Sequence, residues 1–206
     1  MSNAPSRPII TEPIPEPAWD VAHLFPAQGT WSEEEYLALT GNRLVEFSHG
    51  IIEVLPMPTT THQVIVLFLY DLLKAFLANR KLGSVLVAPL RVRLWPGKFR
   101  EPDLIFMRTE HAERIGEQYW DGADLVMEIV SDDDRRRDLD IKRREYAQAG
   151  IPEYWIIDRQ QGRILVLTLE GTSYAVLGEF TRGDQATSKL LPGFTVDVDA
   201  VFSAAI

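Results

Sequence analysis

Asp124-Leu125-Val126-Met127-Glu128-Ile129-Val130 is the stretch on which the fold turns. Five of its seven residues are apolar and they fall on both faces of an extended chain, so it reads as a central strand covered on both sides. Downstream, a charged helix spans about 134–149 and ends at Gly150 and Pro152, and Glu153–Asp158 makes a further strand. Upstream, residues 102–107 start another strand and 109–116 a short helix. A long apolar helix precedes them, capped by Thr60 or Thr61 and running to about Arg80, with Val64, Leu67, Phe68, Leu72, Ala75 and Phe76 at helical spacing. Gly83 stops it, and residues 84–94 read as a bent strand or a strand pair broken at Pro89.

Hairpins sit at both ends. Residues 44–47 and 51–55 flank His49-Gly50, and residues 163–169 and 173–178 flank Gly171. Ser32 with Glu35 three positions on forms a capping box for a short helix reaching about Thr40. Strands and helices alternating in the middle, with hairpins outside, imply an α/β (α+β) chain. Its expected architecture is a mixed central β-sheet flanked by helices, with an N-terminal and a C-terminal β-hairpin. Residues 1–30 hold six of the 13 prolines and read as a Pro-rich arm, extended or disordered, with one domain over 31–206.

The composition, 46% hydrophobic and 25% charged over 206 residues, is that of a globular protein able to bury a core. With no Cys, disulfides, thiolate zinc sites and cysteine nucleophiles are excluded, and a reducing cytoplasmic location is the expectation. The longest apolar run, 64–70, is far short of a bilayer span, so no membrane partner is expected. The net charge of −9 argues against a general nucleic-acid coating protein, yet cations cluster. Residues 80–100 carry Arg80, Lys81, Arg91, Arg93, Lys98 and Arg100 with no acid. Residues 135–144 carry Arg135, Arg136, Arg137, Lys142, Arg143 and Arg144 against two. Each stretch alone reads as a solvated surface; if they converge, they make a local positive surface.

The informative residues are charged groups at positions that the pattern buries. Glu128 lies inside the central strand, where an unpaired carboxylate costs several kcal/mol and therefore needs a partner or a metal. A structural ion pair or a solvent-facing strand end would serve equally. Asp103 opens a strand directly after Pro102, a position also common for turn aspartates. On the helix after Glu128, Arg135, Leu139, Lys142, Tyr146 and Ala149 follow at steps of four, three, four and three, so Lys142 lies in an inward stripe. It can also snorkel outward. Two acids and an inward lysine suit binding a divalent metal and orienting a water. Glu46 sits in an apolar hairpin strand, either functional or half-exposed, and His62 in the first helical turn can approach an acidic site or stay at the surface. No nucleotide-phosphate loop, zinc-type His pair or serine-nucleophile elbow is present.

These residues carry a resemblance. Glu101-Pro102-Asp103-Leu104-Ile105, then residues 124–131, then Asp138-Leu139-x-x-Lys142-x-x-x-Tyr146-x-x-Ala149-Gly150-Ile151-x-Glu153-Tyr154-Trp155 are similar to the "putative restriction endonuclease" family of the PD-(D/E)xK nuclease superfamily. The similarity covers roughly residues 31–202. It implies the restriction-endonuclease-like fold, with Asp103 and Glu128 as metal-binding acids. Glu46 would be an extra acid from an N-terminal element and His62 a further family position. Two residues after Glu128, where the superfamily's usual lysine stands, this chain has Val130. The resemblance places the displaced lysine on the following helix, at Lys142.

The implied activity is an endonuclease that hydrolyses DNA phosphodiester bonds with Mg²⁺ or Mn²⁺; a cytoplasmic homodimer is the expected assembly, since a two-fold suits an enzyme that cuts both strands. Asp103, Glu128 and Glu46 would hold the metal and Lys142 would position water, while the two basic stretches hold flanking phosphates. The rival expectation is a catalytically weak or silent nuclease-fold module that binds nucleic acid or a protein.

Overall fold

The computed structural model describes residues 25–39, 44–131 and 135–204. Most of the expected N-terminal arm, residues 1–24, lies outside the described residues, as do Thr40 and Asp134, the expected ends of two helices. Residues 25–30, read in sequence as the end of that arm, hydrogen-bond to the first hairpin. Gly29 N–H donates to Gly50 O (2.7 Å), and the Gln28 side chain pairs with the Ile52 backbone in both directions (2.9 and 3.0 Å).

The first helix, α1 (Glu33–Leu37), opens with the expected capping box between Ser32 and Glu35. The hairpin β1 (Val45–Ser48) and β2 (Ile51–Val54) follows, then the long helix α2 (Thr60–Leu77), capped by Thr59. Strands β3 (Gly83–Val87), β4 (Val92–Trp95), β5 (Lys98–Arg100) and β6 (Leu104–Arg108) come next. A 3-10 turn over Thr109–Arg114, the short β7 (Trp120–Asp121) and β8 (Leu125–Ile129) lead to the charged helix. That helix includes a π-helical segment, Arg137–Lys142, which passes into α3 (Arg143–Gln148). The chain closes with β9 (Glu153–Asp158), β10 (Arg163–Glu170), β11 (Ser173–Thr181), β12 (Gln185–Thr187), β13 (Thr195–Asp197) and α4 (Val198–Ala204).

The central sheet has six strands in the order β11-β10-β9-β8-β6-β3, and it is mixed: β8 pairs parallel with β9 and antiparallel with β6. The C-terminal hairpin β10–β11 extends this sheet. The N-terminal hairpin instead belongs to a second sheet, β2-β1-β5-β4-β7. Strands β8 and β9 are buried along their whole length because both faces are covered. On one face Leu104, Phe106, Leu125, Met127 and Ile129 pack against α2. On the other, Ile105, Met107, Val126, Val130 and Ile156 pack with Tyr146 and Ala147 of α3 and with Val92 and Trp120 of the second sheet.

The face of α2 that meets the sheet differs from the expected one. Ile65, Val66, Leu69, Leu73 and Leu77 are buried, whereas Leu67 is 50% exposed. By length and composition alone, the helix is long and apolar enough to cross a membrane. Gln63, Asp71 and Lys74 mark its solvent side, with Leu67 among them, and the opposite side packs against the central sheet.

Candidate active site

The register of two neighbouring strands brings the first two candidates together. In the antiparallel β6–β8 pair Leu104 opposes Met127, so one step further Asp103 comes opposite Glu128. Directly opposed residues project to the same face, here the face that meets α3. The turn at Pro102 ends the ladder, and the Asp103 side chain continues it: Oδ2 accepts the Ile129 N–H at 2.8 Å. The same oxygen meets His62 Nε2 at 3.1 Å, reaching over from the first turn of α2. Oδ1 of Asp103 receives no hydrogen bond from a described residue.

Glu128 is 2% exposed and both of its oxygens are engaged. Oε1 accepts from the Tyr146 hydroxyl at 2.6 Å, and Oε2 meets Lys142 Nζ at 2.9 Å. Lys142 is therefore inward and buried rather than snorkelled. Its ammonium also meets Asp138 Oδ1 at 3.0 Å. In an α-helix, four residues overshoot one turn, while in a π-helix they fall short of it. The π segment from Asp138 to Lys142 and the α-turn from Lys142 to Tyr146 thus offset each other, and Lys142 and Tyr146 both reach Glu128, with Asp138 beside the ammonium.

Charge decides the protonation of this cluster. Lys142 is surrounded by Glu128, Asp138, Glu46 and Asp103, and although burial works against its charge, these acids hold its pKa well above the ordinary lysine value. Lys142 stays an ammonium. Glu128 is pushed up to about 8, first by burial and then by the charges of Asp103 and Asp138, against the pull of Lys142 and the Tyr146 hydrogen bond. His62 is raised because the hydrogen bond and charge of Asp103 outweigh burial. One ammonium facing three carboxylates leaves an excess of negative charge. A proton on Glu128 relieves it, and a divalent cation would relieve it further.

Glu46 stands beside this cluster in a different state. Its carboxylate is gripped by the guanidinium groups of Arg100 and Arg137 and accepts the Glu101 N–H at 3.2 Å. Burial works upward on its pKa, but Lys142, Arg100 and Arg137 hold it down to about 2. A carboxylate so occupied contributes an ion pair, not an open oxygen, and its geometry departs from the metal-ligand role expected of it. Among the described residues no cluster of three or more His, Asp or Glu is set around a common point as a metal cage. Asp103 and Glu128 nonetheless fit a hard divalent cation by donor type and by charge balance.

The two basic stretches do converge, but not as an open positive surface. Arg100 from the first and Arg137 from the second meet on Glu46. Lys98 and Arg100 pair with Glu145 at 2.7 Å each, Arg93 with Asp121, Arg135 with Asp158, and Arg137 also with Glu53. Most of the expected phosphate-holding cations are thus neutralised by acids of the protein itself, which explains how an acidic chain accommodates them.

With this geometry in hand, the comparison with known families is decisive: Uma2, described as "Putative restriction endonuclease", matches residues 33–199. The chain belongs to the Uma2 family. The Uma2 fold is also seen in a crystal structure described as a "putative nuclease belonging to DUF820" from Anabaena variabilis ATCC 29413. It superposes with a TM-score of 0.70 at 16% identity, covering 85% of this chain and 99% of that one. No curated protein matches. The restriction-endonuclease-like reading of the sequence, with its mixed sheet flanked by helices, agrees with both findings.

Sequence reasoning missed several residues of this Uma2 site. Asp138 is buried against Lys142, and its signal was available, since an acid four residues before a lysine shares its helical face. Tyr146 entered only as an apolar member of the stripe, although a buried tyrosine hydroxyl requires a partner. Arg100 and Arg137 carried no sequence signal, because their partner, Glu46, lies 54 and 91 residues away.

Proposed function

We propose that this Uma2 protein hydrolyses phosphodiester bonds of DNA with the help of Mg²⁺ or Mn²⁺ at Asp103 and Glu128. The observation that carries the reading is the placement of these two carboxylates on adjacent strands and one sheet face, with the Lys142 ammonium 2.9 Å from Glu128. Bound there, a divalent cation would polarise the scissile phosphate and lower the pKa of an attacking water. The chain's own groups have distinct tasks. Ile129 N–H and His62 fix one oxygen of Asp103 and leave the other open. Tyr146 aims Glu128, whose carboxylate form a bound divalent cation would favour. Lys142, a permanent ammonium, offsets the negative charge that builds on the phosphate oxygens. Access is from the side of Asp103 and His62, whose side chains are the partly exposed members of the group.

A second reading, a nuclease fold without turnover, is favoured by one observation: both Glu128 oxygens are already occupied by Tyr146 and Lys142. Two measurements separate the readings. Plasmid DNA incubated with Mg²⁺ or Mn²⁺ is expected to be cut by wild type, not by Asp103→Ala or Glu128→Ala, and only slowly but measurably by Lys142→Ala, which keeps both acids; equal activity in all four defeats the assignment. Divalent metal is expected to raise the melting temperature of wild type but not of Asp103→Ala. A metal-induced shift without cleavage would favour the silent module.

A further inference from the structure

Asp138 has no part in the mechanism above, yet its surroundings tie it to the Lys142 and Glu128 side of the site. It is 4% exposed. Its Oδ1 lies 3.0 Å from Lys142 Nζ, so the ammonium is held between two carboxylates on different elements, Asp138 on the helix and Glu128 on β8. The Asp138 carbonyl accepts the Tyr154 hydroxyl at 3.0 Å. Tyr154 stands edge-on to Tyr146 with ring centres 5.1 Å apart, and Tyr146 donates to Glu128. The contacts close into a circuit through β8, the helix and β9.

A lysine head on a flexible four-carbon stem is a rotating point charge, and one acceptor leaves it free to pivot. A second acceptor, fixed by its own main-chain anchor, removes that freedom. We infer that Asp138 is a positioning residue that acts through Lys142, fixing the ammonium beside Glu128 for the reaction proposed above; the inference rests on that reading. Its carboxylate faces the ammonium, with Ser131 N–H at 3.4 Å from the other oxygen.

The test is a double-mutant cycle on plasmid cleavage in Mg²⁺, with Asp138→Asn, Lys142→Ala and the two combined. Asp138→Asn is expected to lower kcat by about 10- to 100-fold with KM little changed, the range seen when the partner that orients a functional group is removed. In the Lys142→Ala background the same change is expected to cost less than about threefold, because the group it acts through is gone. Asp138→Glu, with its charge on a longer arm, should recover part of the loss, and it carries the same cycle if the Asn variant folds poorly. Asp138→Asn should retain the rise in melting temperature with Mn²⁺ alone, a rise that Glu128→Gln loses.

Equal losses in both backgrounds, unchanged kcat, or a lost Mn²⁺ shift in Asp138→Asn would overturn the positioning role. The failures are separable. If wild type cuts and Asp103→Ala does not, an additive cycle removes Asp138 alone. If wild type does not cut, the functional reading falls and this role falls with it.

Discussion

Glu128 should set the pH range over which the folded protein loses stability. Its carboxyl is raised from an ordinary 4.5 to about 8, by burial and by the neighbouring charges of Asp103 and Asp138. A raised acid binds its proton more tightly in the folded than in the unfolded chain. Its contribution is therefore complete below 4.5 and is lost as pH climbs to about 8. That interval of about 3.5 pH units, at ~1.4 kcal/mol each, corresponds to at most about 5 kcal/mol. Glu128→Gln replaces the carboxyl with an uncharged group of the same shape, which still offers Lys142 an oxygen. Urea unfolding in EDTA across pH 4.5–8 should show the two proteins near parity at the acid end. The variant should then become the more stable by about 2–5 kcal/mol at pH 8. Glu101, raised to about 7, titrates in the same window, but it remains in the variant and cancels in the difference. A difference curve that stays flat between pH 5 and 8 would refute the reasoning.

Three further outcomes are expected. Glu46→Gln should destabilise by about 3–5 kcal/mol at pH 7, since it leaves Arg100 and Arg137 without their shared carboxylate. Urea titrations should show that penalty present above 4.5 and fading as pH falls toward about 2, where wild type loses the same charge. Glu153→Ala should cost more than about 3 kcal/mol in chemical unfolding. It strips the acceptor from Trp155 Nε1, the Ser188 hydroxyl and the N–H groups of Lys189 and Leu190. Leu69→Ala should cost about 2–5 kcal/mol and Leu67→Ala within about 0.5 kcal/mol, as read by melting temperature, because only the first is buried on α2.

What the sequence disclosed followed from local periodicity and from burial of charge. The doubly covered strand around Glu128 announced itself by apolar residues on both faces, and the inward direction of Lys142 by its place between Leu139 and Tyr146. Both readings depend only on neighbours within a few residues. The face of α2 was legible too but misplaced: Gln63, Asp71 and Lys74 mark its solvent side, and Leu67 lies in the middle of that side rather than inward. The fate of the arginines was hidden. Whether Arg100 and Arg137 face solvent or an acid depends on where Glu46 lands, and that is settled only when the second sheet closes on the helix. The second sheet itself was read as a lone hairpin, since its strands β4, β5 and β7 are two to four residues long and carry little pattern. The π segment, too, has no periodic signature in six residues.

The grip of Arg137 on Glu46 has a consequence for biosynthesis. The two residues are separated by 91 positions, so at ordinary elongation rates the ribosome makes the carboxylate about 5–18 s before the second of the two guanidiniums that grip it, Arg100 being the first. Until then Arg100, on the strand that pairs with β1, is the partner available to that acid. The surroundings of Lys142 are thus completed late, by residues from both halves of the polypeptide, and a chain released before the helix is complete would lack that ammonium beside Glu128.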